Sequence, residues 1–271
     1  MSLRSLIAIL LLGACSSAPK PAAEPVRREA VRPHVDAKVK LFVRVIEGDE
    51  PTILLEAGGA ADSTSWGSLP ERINEETRRR VIAYDRAGFG QTPLPADDIS
   101  ITDELDALHG TLDEHGAKKV VIVAASYGAM FALDYTKQHP QNVVGLVLLD
   151  PMNTDFIDAV GIDRVIGTVP KIKDPKTDKE RAIARMVDKF SGFVAELRGW
   201  RWPATVPAVI ISAARPPFPE DLQLAWRASH ASLAKTSGAQ QVQATKSGHD
   251  ISEEPELVIA AVKRVLEART N

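Results

Sequence analysis

The stretch Val121-Ile-Val-Ala-Ala-Ser126-Tyr-Gly-Ala129 determines how this sequence is interpreted. Its first half is a continuous run of small and β-branched apolar residues, which is typical of a strand buried on both faces of a parallel sheet. Its second half begins a pattern with apolar residues at three- and four-residue steps, which predicts a helix as far as Gln138. The sequence therefore places Ser126 at the point where a buried strand turns directly into a helix.

The same alternation of strands and helices continues on both sides of this stretch. Predicted strands cover residues 39–46, 52–56, 80–84, 118–124, 143–149, 207–213 and 241–245. Predicted helices cover residues 66–78, 102–115, 126–138, 180–197, 219–236 and 253–268. Because such alternation requires a mostly parallel sheet with helices on both faces, we predict the α/β class, with ligands at the carboxyl ends of the strands. Residues 152 to about 205 interrupt the alternation, and we interpret them as an inserted helical cap.

Two motifs together predict a nucleophile and its base. Small residues surround Ser126, as a serine in a tight strand-to-helix turn requires, and His249 follows the last predicted strand in Ser247-Gly-His-Asp250. A serine hydroxyl needs such a base to become a nucleophile. The two motifs, in this order, resemble the nucleophile elbow and histidine loop of the α/β-hydrolase superfamily, in its serine esterase and peptidase branch. The resemblance implies a sheet of about eight strands with a small helical cap; Ala124 departs from it where glycine is usual, whereas Gly128 is retained.

The acid that would orient His249 is the third member of the predicted site. Most of the superfamily places it after the strand that corresponds here to residues 207–213, but no carboxylate directly follows that strand. Some branches place it at the end of the strand before the cap, where this sequence has Asp150. We therefore favour Asp150 as the acid that holds the imidazole in one tautomer, with Asp221 and Glu220 as alternatives.

Two further turns extend the resemblance over residues 38 to 268. Acyl transfer needs hydrogen-bond donors for the oxyanion, and the family implies the backbone N–H of Tyr127 and one from Gly58-Gly59-Ala60. We favour Gly59, with Gly58 and Ala60 as neighbouring alternatives. The turn Tyr84-Asp-Arg-Ala-Gly-Phe-Gly-Gln-Thr92 matches the family's turn after a central strand, and we interpret it as structural scaffold.

Composition limits the other function classes. The chain of 271 residues has 44% hydrophobic residues, 25% charged residues and a formal net charge of -3, which argues against nucleic-acid binding. The sequence shows no metal-ligand cluster, phosphate-binding glycine loop or nicotinamide fingerprint, so we expect no metal and no cofactor. Serine at position 126 disfavours the epoxide and haloalkane hydrolases, which attack with a carboxylate.

We therefore predict a serine hydrolase that cleaves a small carboxylic ester or related acyl bond through an acyl-enzyme. Peptidase, amidase and lactonase activities stay open, because substrate choice resides in the cap. Phe190, Phe193, Trp200 and Trp202 could line an apolar pocket there or pack the cap onto the core. The alternative is a catalytically inactive binding module with the same fold, which the substitution at Ala124 and the displaced acid would favour.

The amino-terminal segment predicts export and lipid attachment. A basic start, an apolar run from Leu6 to Leu12 and Leu-Gly-Ala-Cys15 have the layout of a secretory signal and resemble the bacterial lipobox. The resemblance implies a signal peptide over residues 1–14, lipid on Cys15 and anchorage to a membrane. We interpret residues 15–37 as a disordered tether and residues 38–271 as the hydrolase domain. The expected location is the bacterial cell envelope, at the outer membrane and facing the periplasm, since serine rather than aspartate follows Cys15.

Overall fold

The computed structural model describes residues 38–216 and 218–268. Cys15, the predicted signal peptide and the predicted tether lie outside these residues. Seven strands are present in the described part of the chain, where the resemblance predicted about eight. They are β1 (Phe42–Ile46), β2 (Asp49–Glu56), β3 (Arg79–Asp85), β4 (Val120–Ala125), β5 (Val143–Leu149), β6 (Ala208–Ser212) and β7 (Gln240–Gln243).

The strands form one mostly parallel sheet in the order β1-β3-β2-β4-β5-β6-β7. Only β1 runs antiparallel to its neighbour within this sheet; β4 pairs with β2 on one side and with β5 on the other, both in parallel. The order reverses beside β4, since β1–β3 lie to one side of it and β5–β7 to the other. Parallel α/β sheets bind ligands outside the carboxyl ends of their strands at such a reversal, and Ser126 follows β4 there.

Helices cover both faces of this sheet, which confirms the predicted α/β fold. The helices are α1 (Leu69–Thr77), α2 (Ile101–Glu114), α3 (Gly128–Gln138), α4 (Thr154–Val160), α5 (Ile162–Ile166), α6 (Asp178–Leu197), α7 (Glu220–Ser237) and α8 (Pro255–Ala268). Alternate residues of the central strands face opposite sides. One side packs with α1 and α8, and the other with α2, α3, α7 and the apolar residues of α6.

The segment between β5 and β6 holds α4, α5 and the 20-residue helix α6. Helix α6 begins with a capping box, in which the Thr177 hydroxyl accepts from the Glu180 N–H and the Glu180 carboxylate accepts from the Thr177 N–H. Its buried side includes Phe190, Phe193 and Val194, which join the core cluster beneath them. The inserted segment is thus packed against the core beside the carboxyl ends of the strands.

None of the helices in the described ranges is long and apolar enough to cross a membrane.

Candidate active site

Ser126 occupies a strained turn between β4 and α3. Its φ is 51°, in the left-handed region that residues with a side chain seldom adopt, at a cost of about 1–3 kcal/mol. Hydrogen bonds on both sides hold this conformation: the Ser126 N–H donates to the Leu149 carbonyl at 2.9 Å, and the Met152 N–H donates to the Ser126 carbonyl at 3.0 Å. The turn raises the hydroxyl above the end of the sheet, and the residue keeps 7% of its surface exposed.

Gly128 allows the turn to approach the end of β2 closely. A Cβ at this position would lie 2.3 Å from the Ala57 carbonyl oxygen and 2.9 Å from that of Glu56. Both distances are too short for a carbon and an oxygen, so any side chain would force α3 away from β2. Ala124, two residues before the serine, is fully buried within β4. The structure thus accommodates a methyl group on the strand side of the serine and excludes one on the helix side.

His249 lies between Ser126 and Asp150 and contacts both. Its Nε2 is 2.8 Å from the Ser126 Oγ, and its Nδ1 is 2.6 Å from the Asp150 Oδ2. The carboxylate can only accept, so Nδ1 carries the proton and Nε2 presents its lone pair to the serine hydroxyl. This tautomer is the one that general-base catalysis requires.

Asp150 is fully buried and has a second hydrogen bond that fixes its orientation. Its Oδ1 accepts from the Ala213 N–H at 2.9 Å, at the end of the adjacent strand β6. Burial acts to raise the pKa of this carboxyl, but the hydrogen bonds from His249 and from the Ala213 N–H are among the interactions that outweigh it and lower the pKa below its ordinary value. Asp150 is therefore ionised at neutral pH.

The alternative acids lie elsewhere. Glu220 and Asp221 are exposed in the first turn of α7, and the Asp221 carboxylate forms an ion pair with Arg164 on the cap. Of the three carboxylates weighed from the sequence, the structure brings only Asp150 to His249.

The loop that carries His249 is tied to the start of α8 by Glu254. Its carboxylate accepts from the N–H groups of Lys246 at 2.8 Å and Ser247 at 2.6 Å, and from the Ser247 hydroxyl at 2.7 Å. The N–H of Ser247 is the largest cause that lowers the pKa of Glu254, to about 2. No local pattern in the sequence pointed to Glu254, because its partners belong to the preceding loop rather than to the helix that it precedes.

A buried histidine, His230 on α7, lies on the other side of Asp150. Its Nε2 is 2.9 Å from the Pro151 carbonyl, which only accepts, so Nε2 carries a proton and Nδ1 accepts from the Ser212 hydroxyl at 2.9 Å. Burial lowers the pKa of His230 despite the attraction of Asp150, and the ring is neutral. No local pattern in the sequence distinguished this histidine from other helical residues.

Free backbone N–H groups lie beside the serine. In the described ranges, the N–H of Tyr127 and those of the glycine turn, Gly58-Gly59-Ala60, donate to no other protein atom. A Cβ built on Gly59 would be 3.6 Å from the Tyr127 Cβ, and one built on Gly58 would be 3.7 Å from the Ser126 Cβ, so the glycine turn lies directly against the elbow. Such an arrangement of free donors suits a developing negative charge on an oxygen.

Arg86 binds the carbonyl groups of the glycine turn. Its guanidinium donates to the carbonyls of Ala57 at 2.6 Å and Gly59 at 2.7 Å, and also to the carbonyl of Gly58 and the carboxylate of Glu56. The residue is 4% exposed, and Glu56 balances its charge. The turn from Tyr84 to Thr92, interpreted from the sequence as scaffold, thus supports the backbone beside the serine.

The four aromatic residues of the cap differ in position. Phe193 and Trp202 are buried in the core cluster, and Trp200 packs against the same cluster. Phe190 also borders a cavity beside Gly59 and Tyr127. Within the described ranges, no group of three or more histidine, cysteine, aspartate or glutamate side chains is arranged to hold a metal ion.

Comparison with known proteins shows the family of this chain. The model of the Alpha/beta hydrolase family matches residues 53–265. The chain belongs to the alpha/beta hydrolase family. This membership confirms the superfamily predicted from the serine and histidine motifs, and with it the prediction of a hydrolase.

Relatives in this family are similar at modest identity. The uncharacterized protein YqjL of Bacillus subtilis (strain 168) is 24% identical over 215 residues, which cover 78% of this chain and 81% of that protein. The 2-hydroxymuconate semialdehyde hydrolase of Pseudomonas putida is 32% identical over 142 residues, 52% of this chain and 47% of that protein, so this match spans about half of each. The structure of an esterase from Thermogutta terrifontis shares the fold, with a TM-score of 0.61, 19% identity, and coverage of 86% of this chain and 95% of that one.

Proposed function

We propose that this chain hydrolyses carboxylic esters, with Ser126 as nucleophile, His249 as general base and Asp150 as the acid that orients it. The observation that carries the proposal is the continuous contact from the Asp150 carboxylate through His249 to the Ser126 hydroxyl. Each distance lies within the range that proton transfer requires. The free N–H groups of Gly59 and Tyr127 beside the serine support the same function.

The reaction follows from these positions. His249 takes the Ser126 proton at Nε2 as the Oγ attacks the ester carbonyl, and the oxyanion accepts hydrogen bonds from the N–H groups of Gly59 and Tyr127. Asp150 stabilises the imidazolium that forms. His249 then gives the proton to the leaving alcohol, which leaves an acyl group on Ser126. Water, deprotonated by the same Nε2, attacks the acyl carbonyl; the bond to Ser126 Oγ breaks, the acid is released, and the proton on Nε2 returns to Oγ.

A fluorophosphonate probe tests the nucleophile directly, since it modifies a serine only where a base and an oxyanion site activate it. We expect the folded protein to be labelled once, with loss of labelling in Ser126→Ala and full labelling in Ser65→Ala, a matched change in the short helix before α1. A folded sample that the probe does not label would refute the proposal and favour the non-catalytic binding module. A panel of p-nitrophenyl esters, anilides, aminoacyl peptides and lactones then separates esterase from amidase, peptidase and lactonase activity.

We also propose that the protein acts at the bacterial cell envelope, anchored by lipid on Cys15 and facing the periplasm. The support is the sequence Leu-Gly-Ala-Cys15 after a short apolar run. Several acyl chains together would give stable membrane attachment, whereas a single chain binds only marginally. Metabolic labelling with a palmitate analogue should mark the wild-type protein in the membrane fraction and not Cys15→Ser. Equal labelling of both, or of neither, would refute lipidation at Cys15.

A further inference from the structure

A small cavity lies where the cap meets the core, next to the elbow. On the core side it is bordered by Gly59 and Tyr127, and on the cap side by Val165, Val169, Met186 and Phe190. Its volume is about 30 Å³, which is room for one or two water molecules or a chain of only a few carbon atoms. Its walls are apolar, and no charged side chain borders it.

The position of the cavity indicates which half of an ester it would receive. In the proposed reaction the carbonyl oxygen points to the N–H groups of Gly59 and Tyr127, and the leaving oxygen takes its proton from His249. The cavity borders Gly59 and Tyr127, next to Ser126 in the chain, and neither Ser126 nor His249 lines it. It therefore lies on the side of the carbonyl carbon that carries the acyl substituent.

The chemistry of the walls restricts that substituent. A charged or strongly polar acyl group would lose its water here without gaining a partner, which is unfavourable. A short aliphatic chain fills the space and removes apolar surface from water. Met186 and Val169, which stand on separate cap segments, are among the side chains that line this space.

We propose that this cavity is the acyl subsite of the enzyme and selects esters of short, uncharged aliphatic acids, of about two to four carbons, with Met186 setting the upper length. The inference rests on the proposed ester hydrolysis. Met186 is half-buried on α6, and its flexible, unbranched side chain can be shortened with little disturbance of the helix.

Kinetics with p-nitrophenyl esters of acids from two to ten carbons test the inference. We expect the wild-type kcat/KM to be highest at two to four carbons and at least tenfold lower at eight. Met186→Ala should move the optimum to longer chains by two or more carbons, because it removes the wall of the cavity. Asp188→Ala, an exposed position on the same helix that does not border the cavity, should leave the chain-length profile as in the wild type.

A flat profile, or one that rises to ten carbons, would overturn the short-acyl subsite while ester hydrolysis stands. An unchanged profile in Met186→Ala would overturn the role of Met186, and Val169→Ala repeats the test from another wall if the first variant does not fold. Failure of the proposed function looks different, since no ester would be turned over and no fluorophosphonate would react.

A second, independent observation concerns Arg86, which contacts three successive carbonyls. The peptide bonds of this turn are trans, so each carbonyl and the following N–H point in opposite directions. With the carbonyls of residues 57–59 bound to Arg86, the N–H groups that follow them, that of Gly59 included, must face away from the guanidinium. The geometry points to Arg86 as a positioning residue that aims the Gly59 N–H into the site, where two adjacent glycines would otherwise leave the backbone free to rotate.

Arg86→Met tests this role when kcat and KM are measured separately, together with the affinity for a trifluoromethyl ketone that forms a tetrahedral adduct on Ser126. We expect kcat to fall about 10- to 100-fold, KM to change less than threefold, and the ketone affinity to fall by the same factor as kcat/KM. Arg86→Lys, which keeps the charge without the two-pronged donor, should show a smaller loss.

The matched control is Arg201→Met, which breaks a half-buried ion pair with Asp155 on the cap. We expect that variant to lower the melting temperature and leave kcat within threefold of the wild type. A loss of stability in Arg86→Met without the kcat effect would show a merely structural role and overturn the inference. So would a fall in kcat with unchanged affinity for the ketone. If Arg86→Met does not fold, the same comparison in Arg86→Lys decides.

Discussion

Replacing Gly128 with alanine should separate the elbow from the glycine turn by a measurable distance. The added Cβ would lie 2.3 Å from the Ala57 carbonyl oxygen, whereas a carbon and an oxygen in ordinary contact are about 3.3 Å apart. The two elements must therefore move apart by about 1 Å. A misplacement of that size at a catalytic centre can cost about 100-fold in rate. We expect kcat/KM for a short ester to fall about 100-fold, which corresponds to about 2.7 kcal/mol of transition-state stabilisation.

The effect on stability should be smaller than the effect on activity. Overpacking costs about 1–3 kcal/mol, and alanine regains about 1 kcal/mol of helix propensity over glycine at the start of α3. We therefore expect the free energy of unfolding to fall by about 0–2 kcal/mol in Gly128→Ala, measured by urea denaturation. The variant stays folded under assay conditions, so its loss of activity reports on geometry.

Two matched glycine-to-alanine controls distinguish a loss of active-site geometry from a loss of stability. Gly145→Ala would place a Cβ 2.0 Å from the Val265 Cγ1, on the other face of the sheet, and should reduce stability without lowering kcat/KM of the folded fraction. Gly192→Ala in α6 meets nothing within 4 Å and should leave both quantities unchanged or raise stability slightly. If Gly128→Ala retains kcat/KM within threefold of the wild type, or loses it only in step with the unfolded fraction, the reasoning is wrong.

Three further predictions concern the groups around His249. Asp150→Asn should lower kcat/KM about 10³- to 10⁴-fold, because the amide no longer selects the required tautomer; loss of activity in Asp221→Asn instead would contradict the assignment. Because the pKa of Glu254 is lowered, the contribution of its carboxylate to the stability of the fold is complete above about pH 4.5 and is lost as the pH falls toward about 2. Over this range the melting temperature of Glu254→Gln should therefore fall less than that of the wild type. Equal slopes would show that the carboxylate does not anchor the loop. Burial lowers the pKa of His230 in the folded chain. Below about pH 6.5 the unfolded chain therefore binds a proton at this histidine that the folded chain does not bind, and the free energy of unfolding decreases as the pH is lowered. His230→Gln should show a smaller loss of urea midpoint between pH 7 and 5, and an equal loss would place the titrating group elsewhere.

Much of the fold could be predicted because its signals are local. The strand predicted over residues 143–149 is observed at those limits, and the strand at 80–84 is observed as Arg79–Asp85. Buried strands of a parallel sheet must be apolar along their whole length, and the flanking helices must be apolar at helical steps, so the alternation is visible without any contact being known. The predicted last strand, 241–245, is observed as Gln240–Gln243, at the edge of the sheet, where exposed polar side chains blur the pattern.

Local sequence signals could not decide which carboxylate pairs with His249. The sequence left Asp150 open against Glu220 and Asp221, because all three follow predicted strands of one sheet. The structure places β5 beside β6, so a residue at the end of β5 reaches both the Ala213 N–H and His249. The carboxylate that contacts the imidazole depends on the order of strands across the sheet. That order cannot be predicted from the sequence of any one strand or helix.

The position of the elbow at Ser126 was determined by the sequence itself, since a buried strand runs directly into a helix there between small residues. The strained φ of 51° at Ser126 also depends on tertiary contacts, the hydrogen bonds with Leu149 and Met152. The supports of the site were decided only by the tertiary structure: Arg86 reaches the carbonyls of residues 57–59, and Glu254 reaches the loop before His249. Their partners are backbone groups, which every residue carries, so only the packed arrangement of strands selects which of them a side chain will bind.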